Sequence, residues 1–392
     1  MYPDITAPHA VYIHIPFCTN KCFYCDFNSY VLKGQPVMDY LRALELEMAR
    51  TVADIPPTRI DTIYVGGGTP TVLTPEQMAF FLSIVKRYFP YDPTTVEFTM
   101  EANPGTTDAE KLAVMKDGGV NRISFGVQSF DDHLLQRIGR IHSIEDVYRS
   151  LELARKAGFA NLSIDLMFGL PDQTLATLDN SLTAALELDL QHYSIYGLKV
   201  EENTLFHTLF QRNELPLPDE DIEFGMYKLI MDRLQANGYE QYEISNFAQS
   251  GFASKHNNTY WRNQGYYGLG AGAHGYTHGK RHINVIGIGE YITAASLTEL
   301  PRGESYSVSQ REAMEDFMMV GLRLLSGVRN SDFRAQFGHR MEESFGASLN
   351  RLVSKGLLEA IEDGYRLTAN GLLFGNEVFG EFIGVLSTMG ET

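Results

Sequence analysis

All three cysteines of this 392-residue chain lie within eight residues of each other, as Cys18, Cys22 and Cys25. They form a C-x3-C-x2-C pattern directly after an apolar stretch that begins near Tyr12. Closely spaced cysteines on one loop are the usual ligands of a [4Fe–4S] cluster. The sequence therefore predicts a cluster with three protein ligands, whose fourth iron stays open for a small chelating molecule.

Two other uses of these cysteines agree less well with the sequence. A structural zinc ion usually has four protein ligands in paired units, and no fourth ligand follows at such a spacing here. His14 is near, but in a strand its side chain shares a face with Tyr12 and Pro16, which favours core packing or a supporting hydrogen bond. A disulfide with one spare thiol requires an oxidising compartment, and nothing in the sequence indicates secretion.

Charge and hydropathy restrict the kinds of binding partner and the cellular compartment that we expect for this chain. The formal net charge is −17 and the pI is about 5.1, which opposes binding to a phosphate backbone, so we predict no nucleic-acid partner. No uncharged apolar run reaches the roughly 18 residues of a transmembrane helix, and the first residues lack the pattern of a signal peptide. We therefore expect a cytoplasmic protein, which touches a membrane at most through its partner.

Short β-branched runs alternate with amphipathic stretches along the first half of the chain, as in parallel βαβ units. The predicted strands are Ala10–Pro16, Ile60–Gly66, Thr95–Glu101, Asn121–Gly126, Leu162–Phe168 and His192–Leu198. The predicted helices between them are Pro36–Asp54, Thr74–Phe89, Asp108–Asp117, Ser143–Ala157 and Leu175–Leu188. Six repeats predict an α/β fold, a partial (β/α)6 barrel over residues 1–215.

The cysteine pattern after Tyr-x-His-Ile-Pro-Phe, with Gly66-Gly67-Gly68-Thr69-Pro70 downstream, resembles the radical S-adenosylmethionine (SAM) superfamily. Within it, nearly the whole chain is similar to the oxygen-independent coproporphyrinogen III oxidase family. The resemblance implies that SAM chelates the open iron through its amino and carboxylate groups. It also implies that an electron from the cluster cleaves SAM to methionine and a 5′-deoxyadenosyl radical.

Polar residues stand at the carboxyl ends of the predicted strands, where parallel barrels carry their chemistry. Asp165, inside an otherwise apolar strand, is costly to bury unless it is paired or bound. In the family, Tyr24 corresponds to the aromatic residue that packs on the adenine of SAM, and the fork of Arg140 suits the methionyl carboxylate. The positions that the resemblance assigns to SAM are Tyr12, Tyr24, Gly67, Gly68, Thr69, Glu101, Gln128, Arg140 and Asp165.

The sequence character changes after about residue 215. Residues 216–300 are rich in Tyr and Gly and predict a family-specific extension. Residues 301–392 read as three helices, Ser309–Leu325, Ser331–Phe337 and Met341–Lys355, followed by a two-stranded wing around Glu362-Asp363-Gly364. This predicts a winged-helix-like domain, and its acidic surface favours a lid or a protein contact over DNA binding.

Two features separate the oxidase from a haem chaperone branch of the same family. The oxidase has a further cysteine two residues after the third cluster cysteine, where this chain has Phe27, and a long extension before the first strand, where eleven residues precede Tyr12. Here the segment from His256 to Trp261 resembles the H-N-x-x-Y-W motif of the chaperone branch, which implies haem contacts at His256, Asn257, Tyr260 and Trp261. Read from the residues alone, the same segment also fits a buried histidine with two packed aromatics.

The sequence thus favours a haem chaperone that binds a [4Fe–4S] cluster, SAM and haem and passes haem to respiratory haemoproteins. Oxidative decarboxylation of coproporphyrinogen III is the alternative, and another radical SAM reaction is a third. The resemblance also implies an electron donor such as flavodoxin or ferredoxin, and it allows a homodimer. The axial haem ligand stays open, because His274 and His282 lie in the same glycine-rich region as the motif.

Overall fold

The computed structural model describes residues 8–386, and its first half alternates strands with helices. The elements are β1 (Ala10–Ile15), β2 (Phe17–Cys18), β3 (Tyr30–Val31), α1 (Val37–Asp54), β4 (Thr62–Gly67), α2 (Pro75–Tyr88), β5 (Glu97–Ala102), α3 (Ala109–Asp117), β6 (Arg122–Gln128), α4 (Asp132–Arg137), α5 (Ile144–Lys156), β7 (Asn161–Phe168), α6 (Leu175–Leu186), β8 (His192–Gly197) and α7 (Leu205–Gln211).

Strands β1, β4, β5, β6, β7 and β8 lie side by side in chain order, and every neighbouring pair is parallel. This confirms the predicted six-stranded partial barrel, and each predicted strand is found within two residues at both ends. The predicted helices also form. The hydroxyl of Thr74 caps α2 ahead of a proline in its first turn, as its sequence indicates.

Apolar and polar residues alternate along the barrel strands. Ile63 and Val65 are fully buried beneath the helices, whereas Tyr64 between them keeps exposed surface inside the barrel. The same holds for Glu101 and Asp165, each of which stands between two buried apolar neighbours. Because side chains alternate across a sheet, one face builds the core and the other lines a polar barrel interior.

The next segment, residues 216–307, extends the same sheet at both edges. Its elements are α8 (Glu220–Ala236), β9 (Glu240–Glu243), β10 (Asn246–Ala248), α9 (Lys255–Trp261), β11 (Tyr266–Leu269), β12 (His274–Thr277), β13 (Lys280–Asn284), α10 (Ile288–Ser296) and β14 (Arg302–Ser307). Strand β11 pairs in parallel with β1, and β10 pairs antiparallel with β8, so the sheet has twelve strands. The division at residue 215 stays a prediction, since one sheet runs through both segments.

The last segment folds around its own apolar core. Its elements are α11 (Gln310–Gly321), β15 (Val328–Arg329), α12 (Asn330–Phe337), α13 (Met341–Ser354), β16 (Leu358–Ile361), β17 (Gly364–Leu367), α14 (Ala369–Leu373) and α15 (Gly375–Gly380). Phe317, Phe333, Phe337 and Phe345 form the centre of this core, and β15, β17 and β16 make a small antiparallel sheet. The arrangement is the predicted winged helix with two further short helices. Among residues 8–386, no helix has both the length and the apolar character to cross a bilayer.

Candidate functional site

The cysteine loop leaves the barrel at the carboxyl end of β1. Strands β2 and β3 pair in parallel and hold its two ends together, with Cys18 opposite Val31. The ammonium group of Lys21 donates to the carbonyl oxygen of Phe27 at 3.0 Å and to the hydroxyl of Ser29 at 3.1 Å, which closes the loop on itself. Strand pairing and this lysine therefore hold the two ends of the cysteine loop together.

The three cysteines carry free, half-exposed thiols on this one loop. The hydroxyl of Thr69 donates to the sulfur of Cys18 at 3.6 Å, and the guanidinium of Arg140 donates to the sulfur of Cys22 at 3.5 Å. Burial raises the pKa of Cys18 and of Cys25, and the neighbouring cysteines add to the rise. The hydrogen bond from Thr69 counteracts part of this rise in the pKa of Cys18, which favours the thiolate that binds iron.

Between residues 8 and 386, no three His, Cys, Asp or Glu side chains converge on a position for a single metal ion. A [4Fe–4S] cube binds its cysteines at separate corners, so its ligands are spread more widely than those around one ion. Three free thiols on one loop, each within the electrostatic reach of another, fit such a cube.

The glycine stretch after β4 runs against the base of the cysteine loop. Gly67 has a φ of +103°, and a Cβ atom there would lie 2.3 Å from the ring of His14. A Cβ atom on Gly68 would lie 2.6 Å from the carbonyl oxygen of Phe17. These positions exclude any larger side chain, because the backbone after β4 passes so close to β1 and β2. Direct contact between these glycines and SAM remains a prediction.

Two of the predicted SAM residues, Glu101 and Asp165, are acidic side chains inside the barrel. Glu101 accepts hydrogen bonds from the hydroxyl of Tyr64 at 2.7 Å and from the amide of Gly67 at 3.2 Å, yet burial raises its pKa to about 7. Asp165 accepts from the hydroxyl of Ser124 at 3.1 Å, and burial raises its pKa too. Carboxylates in this setting can accept hydrogen bonds from an amino group or from ribose hydroxyls of a ligand that enters the barrel.

Arg140 joins the cysteine loop to the barrel mouth. Its guanidinium donates to the side-chain oxygen of Asn103 at 2.7 Å and also to the carbonyl oxygen of Gly126, besides its bond to Cys22. The amide of Asn103 in turn donates to the hydroxyl of Thr69 at 2.8 Å. A cavity of about 230 Å³ opens beside this network. Asn103 is a site residue that our assignment missed, although its place two residues after Glu101 at a strand end was a usable signal.

The remaining predicted SAM residues lie around the same barrel mouth. Gln128 has a φ of +70°, interrupts the pairing of β6 with β7 and accepts a hydrogen bond from the hydroxyl of Tyr196 at 3.2 Å. The hydroxyl of Tyr12 is 2.9 Å from Nδ1 of His14, whose Nε2 lies 2.7 Å from the carbonyl oxygen of Asn28 in the cysteine loop. His14 therefore supports the cysteine loop through this contact.

Tyr24 lies between the second and third cysteines and packs on Phe206, with the ring centroids 6.5 Å apart. Burial raises the pKa of its hydroxyl, and the charge of Arg140 acts in the opposite direction. The structure thus brings eight of the nine predicted SAM positions to the carboxyl half of the barrel, around the cysteine loop, whereas Tyr12 lies in the first half of β1 and stacks on Tyr64.

The predicted haem motif lies at the other end of the barrel. It forms helix α9, whose first backbone amides, those of Lys255 and His256, donate to the carboxylate of Glu97 at 2.9 and 3.0 Å. Glu97 is the first residue of β5, so α9 sits beneath the amino ends of the strands. A carboxylate at a helix amino terminus also complements the helix dipole.

His256 is fully buried in this arrangement. Its Nδ1 is 2.8 Å from the hydroxyl of Thr62, its Nε2 is 2.8 Å from the hydroxyl of Tyr260, and its ring stacks on Tyr64. Burial lowers its pKa to about 3, so the ring is neutral. Both nitrogens have protein partners, and iron binding by His256 remains a prediction that requires these bonds to break.

The other candidate haem contacts differ in exposure. Asn257 is half-buried and its backbone amide donates to the hydroxyl of Ser254, which caps α9. Trp261 is half-buried, and the guanidinium of Arg323 lies 4.4 Å above its ring. Its buried indole nitrogen has no hydrogen-bond partner among residues 8–386. His282 is buried and burial lowers its pKa to about 4, whereas His274 is exposed on β12.

Sequence comparison places two family profiles on the chain. The radical SAM superfamily matches residues 12–185, and the HemN C-terminal domain matches residues 308–374. The first match covers the cysteine loop and the barrel strands as far as α6, and the second covers most of the winged-helix segment.

Full-length relatives and one solved structure extend the comparison. The heme chaperone HemW of Bacillus subtilis is 47% identical over 96% of this chain and 100% of its own length. The protein of that name in Escherichia coli is 38% identical, over 96% of this chain and 98% of its own length. The structure of coproporphyrinogen III oxidase (HemN) from Escherichia coli has a TM-score of 0.84 at 22% identity and covers 96% of this chain and 90% of that one, which is a likeness of fold.

Proposed function

Because this chain belongs to the radical SAM superfamily and, within it, to the family of the HemW heme chaperones, we propose that it binds a [4Fe–4S] cluster, SAM and haem and delivers haem to respiratory haemoproteins. The single observation that carries the proposal is the cysteine loop, whose three free thiols lie beside Arg140 at the open end of a radical SAM barrel. We expect it to work in the cytoplasm with an electron donor such as flavodoxin or ferredoxin.

Cys18, Cys22 and Cys25 are the proposed cluster ligands. Thr69 and Arg140 support two of the sulfurs through the hydrogen bonds described above, and Lys21 closes the loop around them. A cluster held in this way can supply an electron to the sulfonium of bound SAM. Removing either supporting donor would leave its thiolate less stabilised and the cluster more exposed to loss.

The proposed SAM site is the ring of residues at the barrel mouth. The guanidinium of Arg140 brings its positive charge and its remaining N–H groups to the methionyl carboxylate, while its other N–H groups bond Cys22, Asn103 and Gly126. Glu101 and Asp165 are placed to accept hydrogen bonds from ribose hydroxyls, and Tyr24 supplies an aromatic face for the adenine.

Haem transport is favoured over coproporphyrinogen oxidation by two residues. Phe27 is 65% exposed at the position where the oxidase has its further cysteine, and a phenyl ring cannot supply thiol chemistry. Trp261 and the rest of α9 form the haem motif of the chaperone branch. Haem is therefore cargo that this protein carries unchanged.

An anaerobic haem titration of the protein with a reconstituted cluster tests the function. We expect saturable haem binding with a shift of the Soret band. Incubation with SAM, a reductant and coproporphyrinogen III under the same conditions should give no vinyl products. A flat titration, or the formation of protoporphyrinogen IX, would contradict the proposal.

A further inference from the structure

A large groove separates the amino ends of the barrel strands from the winged-helix segment. Its volume is about 1390 Å³, above the roughly 300–1,000 Å³ typical of small-molecule pockets. One wall consists of the residues that start the barrel strands, including His9 and Asp61, and the other includes Val328 and Arg329 of β15. The end of α9 with Trp261 forms part of its lining, so the haem motif reaches the groove.

Helix α9 presents different residues to the barrel and to this groove. His256 points into the barrel, where Thr62, Tyr64 and Tyr260 enclose it. Trp261, five residues later, lines the groove. In this structure a ligand in the groove can touch the tryptophan of the motif, whereas the histidine is out of its reach. Haem contact through this motif therefore needs a different iron ligand.

The charges of the groove oppose those of the whole chain. Four cationic side chains line it, those of Arg59, Lys255, Arg262 and Arg329, against the two carboxylates of Asp61 and Asp332. The chain as a whole carries a net charge of −17. Arg59 is paired with Asp61 at 2.6 Å, and Arg262 and Arg329 are both exposed. A locally positive, partly apolar groove on an acidic protein complements a flat ligand with two carboxylates.

His9 is the one imidazole among the described residues that line the groove. It is 38% exposed, and its Nδ1 lies 3.5 Å from a carboxylate oxygen of Asp61 and 3.3 Å from the guanidinium of Arg59. The guanidinium of Arg59 can only donate, so Nδ1 of His9 accepts from it in this structure. Iron binding through Nε2 requires the tautomer with the proton on Nδ1, which would then donate to Asp61 in place of the Arg59 contact. The backbone fixes this pair, since the carbonyl oxygen of His9 accepts from the amide of Asp61 at 2.8 Å.

From these contacts we infer that haem binds in the groove at the amino end of the barrel, with His9 as the iron ligand, Trp261 against the porphyrin and Arg262 and Arg329 toward the propionates. The inference rests on the proposed haem function and assigns its location. His256 then holds α9 on the barrel and does not bind the iron. A strand of six residues is about 20 Å long, so the haem lies roughly that far from the cysteine loop at the other end.

Titration of ferric haem into the full chain, read by difference absorption and electron paramagnetic resonance, tests the location. We expect His9→Ala to move the Soret maximum and to remove the signal of imidazole-ligated iron. The double variant R262Q/R329Q should weaken the haem Kd about tenfold with the Soret maximum unchanged, since only propionate contacts are lost. Trp261→Phe should also weaken binding.

Matched substitutions away from the groove serve as controls. His133→Ala and Arg212→Gln alter exposed residues of α4 and of the end of α7 and should leave both the Kd and the Soret maximum unchanged. His256→Gln should keep the wild-type Soret maximum, and loss of the imidazole signal in that variant alone would overturn the inference. Groove variants that bind like these controls would also overturn it while the haem function stands. A wild type that binds no haem would remove the function itself.

Discussion

Arg140 is the residue on which the barrel mouth depends most. It contacts Cys22, Asn103 and Gly126, which belong to the cysteine loop, the end of β5 and the strand β6. No single one of these contacts requires arginine, but a planar group with five donors can make all of them together. The proposed binding of the SAM carboxylate also depends on this one side chain.

Arg140→Lys should weaken SAM binding about ten- to a hundredfold, because lysine keeps the charge but loses the planar fork. Equilibrium binding of SAM to the reconstituted protein measures the effect. Arg137→Lys, three residues earlier in an exposed ion pair with Asp172, is the matched control and should bind SAM like the wild type. Equal affinities for both variants would contradict the assigned role.

Gly67→Ala should destabilise the protein by about 1–3 kcal/mol more than Gly105→Ala. Both glycines have positive φ, +103° and +81°, but the added methyl group meets the ring of His14 at 2.3 Å in the first case and nothing closer than 3.7 Å in the second. Chemical unfolding of the two variants separates steric overlap from backbone strain. Similar losses of stability would show that His14 moves aside at little cost.

Helix α1 and helix α10 meet around a buried carboxylate. Glu47 accepts from the amide of Gly270 at 2.8 Å, from the side chain of Asn284 at 2.6 Å and from the hydroxyl of Tyr291 on α10. Burial nevertheless raises its pKa from 4.5 to about 7, because three neutral donors do not replace the water around a charge. This acidic group therefore ties α1 to the extension that follows the barrel.

Its titration makes the stability of this contact depend on pH. The folded state keeps the proton on Glu47 to a higher pH than the unfolded chain, so the free energy of unfolding falls as pH rises from about 4.5 to 7. Near pH 7 this decrease in the free energy of unfolding amounts to about 3 kcal/mol. Glu47→Gln should remove it, because glutamine does not titrate. Urea unfolding at several pH values measures the difference between the two proteins. Glu45→Gln, on the same helix but partly exposed, should follow the wild type.

The whole molecule has two candidate sites, at opposite ends of the barrel. The cysteine loop and most of the predicted SAM positions lie at the carboxyl ends of the barrel strands, whereas α9 and the groove lie at the amino ends. The buried side chains of Thr62 and His256 lie between them, with Tyr64 stacked on the ring of His256. If haem occupies the groove, its binding should not require the cluster.

Replacement of Cys18, Cys22 and Cys25 by serine tests this separation. The variant should contain no cluster iron but bind haem with a Kd close to that of the wild type, because the two sites are about 20 Å apart. Iron and sulfide analysis together with haem titration gives both answers on the same sample. A folded variant that no longer binds haem would place the haem at the cysteine end.

The order of the barrel elements could be predicted because each depends on a local pattern. In β4, β5 and β7, residues of the core alternate with residues of the barrel interior, and this pattern is visible within one strand. The helix cap at Thr74 likewise depends only on the next few residues. Strand β11 could not be predicted to lie beside β1, since more than 250 residues separate their partners Ala10 and Tyr266. Such pairings depend on how the whole chain closes and not on any local signal.

The sequence alone determined which groups are available for chemistry: three cysteines close enough to share one cluster, and polar residues at the strand ends where a parallel barrel gathers them. Only the tertiary structure decided where the second motif lies and which of its side chains are accessible. Helix α9 docks under the barrel on Glu97, which buries His256 and leaves Trp261 at the groove. The reason is that a short motif specifies which groups are present, while the packing of distant elements specifies which of them a ligand can reach.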